Sequence, residues 1–364
     1  WPAVLTDSAG NRAVILVRSR TFFENDYILV TPQGTRQLPL PAKSTLSGMV
    51  AGRVILKTSE PWRSGGVDVP TGSAVSVALD DLVAGQTLTP VILFAPGPRQ
   101  AVEQVATTRD HVILATTDNV RGRASVFTPT ASGWTSVPLD LPDNATIGVS
   151  ATGFLQPTTL WQIDAAKPAP AQVKALPARF DATGLAVEQF EATSSDGTKI
   201  PYFIVHRAGV ALDGTTPTIM TAYGGFEVSY TPSYSALIGK LWLERGGSFV
   251  IANIRGGGEF GPDWHQAGLK TKRQIIYDDF ASVAQDIFAR GLSSPKKFGI
   301  FGGSNGGLLM GVEFNQHPEL WNAVVIQVPL LDMLRYEQIA AGPSWVDEYG
   351  SVSVPEEKAF LETI

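Results

Sequence analysis

The chain changes its hydrophobic pattern near residue 190. Before that point, short apolar runs alternate with turn-forming residues and show almost no helical periodicity, which is typical of β-strands. Three runs, at 11–17, 52–58 and 110–116, share one local pattern and recur at intervals of about 40 and 58 residues. Such intervals favour four-stranded propeller blades with insertions. Ordinary strands of another all-β fold remain an alternative, because Val-Ile-Leu runs occur in any β core.

Beyond that point, strand-like runs alternate with helical ones. Ile276, Phe280, Val283 and Ile287 recur at spacings of four, three and four residues, which predicts a helix from about 273 to 290. This alternation is typical of a mostly parallel sheet covered by helices. The predicted strands lie at 200–205, 216–222, 248–254, 297–301 and 323–328, and the last one looks buried because its apolar run is continuous.

A Pro/Ala-rich stretch at 165–171 reads as a connector between the two halves. We place the domain boundary after residue 190. The sequence therefore predicts an all-β domain at 1–190, the later blades of a partial propeller, followed by an α/β domain at 191–364.

A serine turn lies between the predicted strand at 297–301 and a predicted helix at 305–315. Residues 302–307 match G-x-S-x-G, with glycines on both sides of Ser304. A serine hydroxyl is a poor nucleophile unless the backbone holds it exposed beside a base, and a strand-turn-helix of this kind provides the exposure. The pattern predicts Ser304 as a catalytic nucleophile and the α/β-hydrolase fold for 191–364.

Acyl transfer also needs hydrogen-bond donors aimed at the developing oxyanion. In this architecture one donor is the amide after the nucleophile, here Asn305, and the other lies on the loop of an earlier strand. Tyr223 follows the predicted strand at 216–222, and its hydroxyl could donate in that place. Spacing alone leaves open that Tyr223 is only a packed aromatic residue.

A competing motif, G-x-G-x-x-G, occurs at 256–261. Pro262 and Trp264 stand where a dinucleotide-binding helix would begin, and no acid ends a second strand about 20 residues later. We therefore reject a dinucleotide site. His265 in the same loop precedes the serine, whereas this fold orders its triad serine, acid, histidine, and we interpret His265 as structural.

The partners of the serine are missing from the pattern. His317 is the only histidine after Ser304, and it lies at the far end of the predicted helix. Asp332 and Asp347 follow the serine but precede any later strand that could present the acid. We expect the triad aspartate and histidine beyond residue 364, and we expect this chain to be inactive alone.

Composition excludes several classes of function. The net charge is −6 with dispersed basic residues, which argues against nucleic-acid and membrane partners. The chain has no cysteine and only four histidines in no ligand-like spacing, so we expect no metal. We also expect no cofactor. The absence of cysteine suits cytoplasm and periplasm equally, and localisation stays open.

Five motifs resemble the prolyl oligopeptidase family. They lie in the family's order and cover the second half of the chain strongly, at 223–226, 253–261, 302–307, 332–336 and 342–350. The resemblance implies a propeller joined to an α/β-hydrolase domain and cleavage of short peptides after proline, without a cofactor. It also implies that the propeller's early blades precede residue 1, and that the triad acid and base and a substrate-binding arginine follow residue 364.

The same resemblance implies roles for particular residues. Ser304 becomes the nucleophile, and the Asn305 amide and Tyr223 hydroxyl become the oxyanion donors. Trp345 is placed against the substrate proline ring, since a flat indole complements a rigid pyrrolidine without any charge. The rest of that pocket is implied to be Phe226, Leu330 and Tyr349. Pro329 departs from the family's usual small residue and alters the expected pocket shape.

The leading hypothesis is a serine oligopeptidase that cleaves after proline, monomeric when complete and with short peptides as its partners. A dipeptidyl-peptidase, an acyl-aminoacyl-peptidase or an esterase of the same fold is the alternative, and Glu348 leaves a basic-specific relative open. An alternative of another class is a non-catalytic propeller module that retains a relic serine turn.

Overall fold

The computed structural model describes residues 1–140, 146–147, 150–164 and 167–364. The chain divides into two compact units. The first comprises 1–151, 160–174 and 260–262, and the second comprises 152–159, 175–259 and 263–364. The predicted boundary after residue 190 falls inside a strand of the second unit, Leu185–Thr193.

The first half of the chain forms four-stranded sheets. In the first three of these sheets, every neighbouring pair of strands is antiparallel. A hairpin of β7 and β8 and a short helix, α1, interrupt the second sheet. The sheets are β1 Pro2–Thr6, β2 Arg12–Ser19, β3 Asn25–Thr31 and β4 Gly34–Gln37; β5 Ser44–Val50, β6 Arg53–Thr58, β9 Ala74–Ala78 and β10 Val91–Phe94, with β7 Trp62–Ser64, β8 Val67–Val69 and α1 Leu79–Ala84; β11 Gln100–Thr107, β12 Val112–Asp118, β13 Arg121–Thr130 and β14 Gly133–Pro138; and β15 Thr146–Ile147, β16 Ser150–Thr152, β17 Thr159–Asp164 and β18 Lys167–Ala175.

The three similar sequence runs become equivalent strands. They form β2, β6 and β12, and each is the second strand of its own sheet in chain order. Each contributes buried apolar side chains, among them Ile15, Ile55 and Leu114. The prediction that these runs mark repeated blade-like units is confirmed.

The predicted connector at 165–171 is wrong in its described part. Residues 165–166 lie outside the described residues, but Lys167–Ala175 forms β18 at the edge of the fourth sheet. Proline lacks the N–H that a central strand needs, yet an edge strand can accept it because one side of the strand makes no ladder bonds. Composition alone therefore misread an edge strand as a linker.

The second unit is built on one six-stranded mixed sheet in the order β19-β20-β22-β21-β23-β24. The pairs β19·β20 and β20·β22 are antiparallel, and β22·β21, β21·β23 and β23·β24 are parallel. No helix in the described part of the chain is long and apolar enough to cross a membrane. The strands are β19 Leu185–Thr193, β20 Lys199–Arg207, β21 Thr218–Thr221, β22 Ser248–Ala252, β23 Phe298–Gly303 and β24 Ala323–Gln327, and the α-helices are α2 Ala236–Leu241, α3 Pro262–Gln266, α4 Gln274–Ala289, α5 Asn305–Gln316, α6 Val346–Tyr349 and α7 Pro355–Leu361.

The predicted long helix is confirmed as α4, and its apolar stripe lies in the core. Ile276, Phe280, Val283 and Ile287 are all buried in one cluster with residues from the sheet and from α5. Removal of such side chains from water is the main force that fixes the helix to the sheet.

The predicted strand at 323–328 is present, and the described residues cover it only in part. This segment forms β24, which pairs with β23 and is the outermost strand on that side among the described residues, with Ala323, Val325 and Gln327 exposed. Val328 follows with 81% of its side chain exposed and a left-handed φ of 37°. A continuous apolar run does not reveal whether a strand is central or at an edge, because that depends on pairing with distant segments.

Candidate active site

Ser304 lies in a sharp turn between β23 and α5. Its φ of 56° and ψ of −121° are rare for any residue other than glycine. The Ser304 N–H donates to the Gln327 oxygen at 3.1 Å, and the Ser304 oxygen accepts from the N–H groups of Gly307 and Leu308 at 2.9 and 3.1 Å. The backbone is therefore anchored on both sides, while Ser304 itself is exposed.

Two glycines allow this turn to form. A Cβ on Gly302 would lie 2.4 Å from the oxygen of Gly306, and a Cβ on Gly306 would lie 3.0 Å from the oxygen of Ala222. The first distance excludes a side chain at Gly302, and the second would force the backbone around Gly306 to shift. The sequence thus permits β23, α5 and the end of β21 to approach closely around Ser304.

The two predicted oxyanion donors lie beside this turn. Asn305 is the first residue of α5, so its N–H has no partner within the helix. A Cβ on Gly306 would lie 3.8 Å from Cδ2 of Tyr223, which places the Tyr223 ring against the start of α5. No hydrogen bond joins the Tyr223 hydroxyl to any residue in the described ranges. No described hydrogen bond therefore occupies either predicted donor.

The side chain of Asn305 is buried, and both of its polar atoms make hydrogen bonds. Its Nδ2 donates to the Tyr223 oxygen at 2.5 Å, and its Oδ1 accepts from the hydroxyl of Tyr349 at 2.9 Å. The same Oδ1 also accepts a hydrogen bond from Nη2 of Arg273. Asn305 thus links the nucleophile turn directly to the loop that carries Tyr223.

Arg273 is the centre of a buried charged cluster, with 1% of its surface exposed. Besides Asn305, its guanidinium donates to the Gly224 oxygen at 3.3 Å and to Oε1 of Glu348 at 2.9 Å. Its Cζ lies 4.6 Å from the centre of the Tyr349 ring, which is a cation–π distance. One side chain therefore contacts four residues from three separate segments.

Glu348 completes the cluster and is 0% exposed. Its Oε2 lies 2.6 Å from Nε2 of His265. Burial by itself raises the pKa of Glu348, but the hydrogen bond from His265 and the charge of Arg273 outweigh it and hold that pKa below its usual value. Glu348 is therefore not an acidic wall of an open pocket, and His265 is a buried partner of Glu348, as expected for a structural histidine.

The four residues that the resemblance assigned to the proline pocket pack on one core. Trp345, Phe226 and Leu330 are half-buried against it. Pro329, just before Leu330, lies against α5, because a Cβ on Gly307 would be 3.0 Å from its Cα. The fourth residue, Tyr349, is 0% exposed and packs edge-on to Phe226 at 5.6 Å. Tyr349 thus supports Phe226 from behind and does not itself form a surface.

No described hydrogen bond joins a histidine to Ser304. Nε2 of His206 lies 2.7 Å from Oε2 of Glu188, and His265 is bound to Glu348. His317 follows the last residue of α5, about 20 Å along the helix from Ser304. In the described part of the chain no hydrogen bond reaches the Ser304 hydroxyl.

Asp332 is also occupied. It accepts from Nε of Arg335 at 2.6 Å, and that hydrogen bond lowers the pKa of Asp332. No described hydrogen bond or ion pair joins Asp332 or Asp347 to a histidine. The acid and the base of a triad are therefore unassigned among the described residues.

Sequence reasoning missed two buried ionisable residues, Arg273 and Glu313. Arg273 directly precedes α4 and resembles any polar residue at a helix start. Glu313 lies on α5 and is 0% exposed, with no hydrogen-bond partner for either carboxylate oxygen among the described residues. Burial, helped by Asp278 and Glu319, raises the pKa of Glu313 well above its usual value. No local pattern distinguishes either side chain from a solvated one.

A model of the prolyl oligopeptidase family matches residues 232–362, the stretch that contains the serine turn and Trp345. The solved structure described as a post-proline cleaving enzyme from Rickettsia typhi superimposes on 98% of this chain with a TM-score of 0.90 and 33% identity, over 54% of its own length. The chain belongs to the prolyl oligopeptidase family. The predicted fold class, propeller blades followed by an α/β-hydrolase fold, is confirmed.

Two curated members of the family show how far the likeness extends. An uncharacterized peptidase of Sinorhizobium fredii, y4nA, is 47% identical over 94% of this chain and 50% of its own length. A prolyl endopeptidase of Elizabethkingia meningoseptica is 36% identical over 57% of this chain and 29% of its own length. The chain spans about half the length of the first curated relatives that it matches.

Proposed function

We propose that this protein is a serine peptidase that cleaves short peptides on the C-terminal side of proline through an acyl-enzyme on Ser304. The observation that carries the proposal is the Ser304 turn. Its serine is exposed in a rare left-handed conformation, while the buried Asn305 beside it is bonded to the Tyr223 oxygen. An exposed serine hydroxyl close to two proposed oxyanion donors supports acyl transfer at Ser304.

In the proposed reaction the Ser304 oxygen attacks the carbonyl carbon of the substrate while a base removes the hydroxyl proton. The carbonyl oxygen becomes an oxyanion, which the Asn305 N–H and the Tyr223 hydroxyl stabilise. Collapse breaks the C–N bond, and the proton passes to the leaving amine. Water then attacks the acyl-enzyme and regenerates the serine. The described residues leave the base unassigned.

Proline specificity is supported by two kinds of observation. Trp345, Phe226 and Leu330 are apolar, half-buried and packed on the core that also holds Tyr349, and an apolar, uncharged wall suits a pyrrolidine ring. Relatives carry the names prolyl endopeptidase and post-proline cleaving enzyme. Short peptides are accordingly the proposed partners, and we propose a monomer that binds neither nucleic acid nor membrane.

A fluorophosphonate probe tests the nucleophile on the protein expressed from its complete gene. We expect labelling of Ser304 and turnover of a blocked Gly-Pro amide, with both lost in Ser304→Ala. Turnover in that variant should fall by about 10⁴-fold or more. If the wild-type protein were neither labelled nor active, the nucleophile assignment would be wrong and the non-catalytic module would be favoured.

The alternative within the fold is a dipeptidyl-peptidase, an acyl-aminoacyl-peptidase or an esterase. Glu348 gives no support to a basic-specific pocket, because its carboxylate is buried and paired with Arg273 and His265. Comparison of kcat/KM for substrates with proline, arginine or a blocked N-terminus before the scissile bond separates these activities. A preference for arginine would contradict the proposed specificity.

A further inference from the structure

We propose that Arg273 is a positioning residue for the oxyanion site, a role that rests on the proposed function. Its guanidinium donates to three acceptors: Oδ1 of Asn305, the oxygen of Gly224 and Oε1 of Glu348. Asn305 follows the nucleophile, and Gly224 follows the proposed hydroxyl donor, Tyr223. One buried cation therefore joins the two segments that supply the oxyanion donors.

The bond to Asn305 restrains the residue whose N–H is a proposed oxyanion donor. The Asn305 side chain is held by Arg273, Tyr349 and the Tyr223 oxygen, so its backbone N–H has little freedom to turn. A Cβ on Gly225 would lie 2.6 Å from Nδ2 of Asn305, which shows how closely the Tyr223 loop covers that side chain. Oxyanion donors are effective only when they are fixed before the reaction begins.

The chemistry of the guanidinium suits this task. Arginine presents several donors in a rigid planar fork, whereas lysine offers a single flexible point charge. A buried charge is costly unless it is paired, and Glu348, which also accepts from His265, supplies that pairing. The cluster is thus anchored to α6 on one side and to the oxyanion segments on the other.

The cluster also reaches the proposed proline pocket. The Tyr349 ring lies 4.6 Å from the Arg273 guanidinium and 5.6 Å from the Phe226 ring. Its hydroxyl donates to the same Asn305 oxygen that Arg273 contacts. Because Arg273 contacts the oxyanion segments directly and Phe226 only through Tyr349, its loss should affect kcat more than KM.

The experiment compares Arg273→Lys with Arg255→Lys in the protein expressed from its complete gene. Arg255 is the matched control, since it is 4% exposed and bonds a buried carboxylate, Oδ1 of Asp279, at 2.5 Å. We expect both variants to lower Tm. Arg273→Lys should reduce kcat by about 10- to 100-fold with KM changed less than about threefold, because a displacement near 1 Å costs about 100-fold. Arg255→Lys should leave kcat within about threefold of wild type.

Two further variants keep the test decisive if Arg273→Lys folds poorly. Glu348→Gln retains an oxygen for Arg273 but removes the charge, and we expect a smaller fall in kcat, again without a matching rise in KM. The double variant Arg273→Lys with Asn305→Ala should lower kcat by less than the product of the two single effects. Both changes remove the same contact, the bond between Arg273 and Asn305. Fully multiplicative effects, or wild-type kcat in Glu348→Gln, would overturn the proposed role.

The outcomes separate this inference from the proposed function. Equal kcat in Arg273→Lys and Arg255→Lys, with wild-type turnover that Ser304→Ala abolishes, would refute only the positioning role. Absence of wild-type turnover would instead refute the proposed function.

Discussion

Two buried arginines of the second unit, Arg255 and Arg273, each bond a buried carboxylate but connect different segments of the chain. Arg255 donates to Asp279, to the more exposed Asp196 and to the hydroxyl of Ser194. These bonds tie the loop after β22 to α4 and to the turn between β19 and β20. Arg273 also bonds a buried carboxylate, but its other acceptors lie on the segments that flank Ser304.

The comparison shows that burial and charge pairing do not by themselves identify a functional residue. Both arginines are almost fully buried and both have carboxylate partners. The difference is what the remaining donors hold. Arg255 connects elements of the scaffold, whereas Arg273 connects the proposed donors of the oxyanion site.

The largest expected effect is on stability, and it tests the pairing of each arginine with a buried carboxylate. Arg255→Met and Arg273→Met each leave a carboxylate buried without its cation, which costs about 3–5 kcal/mol. Thermal unfolding should therefore show a large loss of stability in both variants. A loss below about 1 kcal/mol in either one would show that its carboxylate is relieved in another way and would break the comparison.

Tyr223→Phe isolates the oxyanion segment from the arginine. Removal of one oxyanion donor should reduce kcat by about 10²- to 10³-fold. Tm should stay unchanged, because no described residue bonds the Tyr223 hydroxyl. Tyr230→Phe is the control, since its ring lies 5.9 Å from that of Tyr223 and it has no proposed role in the reaction. Steady-state kinetics in which both variants behave alike would contradict the role of Tyr223.

Trp345→Ala tests the proposed proline pocket. Trp345 lies just before α6, the helix whose Glu348 is bonded to Arg273. Loss of the indole face should reduce the preference for proline over alanine before the scissile bond by about 10- to 200-fold in kcat/KM. Ile339→Ala, which removes an exposed apolar side chain, should leave that preference unchanged. An unaltered preference in Trp345→Ala would show that Trp345 does not form the proline pocket.

The two buried carboxylates should respond to acid in opposite ways. The pKa of Glu348 is lowered in the folded state, so its ionised form stabilises the fold above its unfolded pKa, near 4.5, and that stability is lost as pH falls through the folded value. Burial raises the pKa of Asp279 despite its bonds to Arg255, so its contribution weakens as pH rises above its unfolded pKa, near 3.8.

Unfolding free energies between about pH 3 and 7 for wild type, Glu348→Gln and Asp279→Asn measure this contrast. The advantage of wild type over Glu348→Gln should grow with pH, and its advantage over Asp279→Asn should shrink. Parallel pH profiles for the two variants would contradict the assigned directions.

The smallest expected effect concerns Glu313, the buried acid on the helix of the serine turn. Burial raises its pKa, so the folded protein retains a proton that the unfolded chain loses above about pH 4.5. Wild type should therefore lose stability with rising pH relative to Glu313→Gln. Thermal unfolding at about pH 4 and 8 checks this; an equal difference at both values would show that Glu313 is ionised in the fold.

Local patterns predicted those parts of the fold that local forces decide. The spacing of Ile276, Phe280, Val283 and Ile287 predicted α4, and three similar runs predicted three equivalent strands. The errors concern pairing. A proline-rich run was read as a linker although it is the edge strand β18, and an apolar run was read as buried although the described residues cover β24 only in part.

The same distinction between local and long-range forces applies to the serine turn and to the buried Arg273 cluster. Ser304, its glycines and the first residue of α5 are consecutive in the chain, so the sequence by itself determined the serine turn. The bonds of Arg273 to Asn305, Gly224 and Glu348 cross 32, 49 and 75 residues. Only the tertiary structure decided that cluster, because burial and hydrogen-bond partners across such separations depend on how the sheet and helices pack.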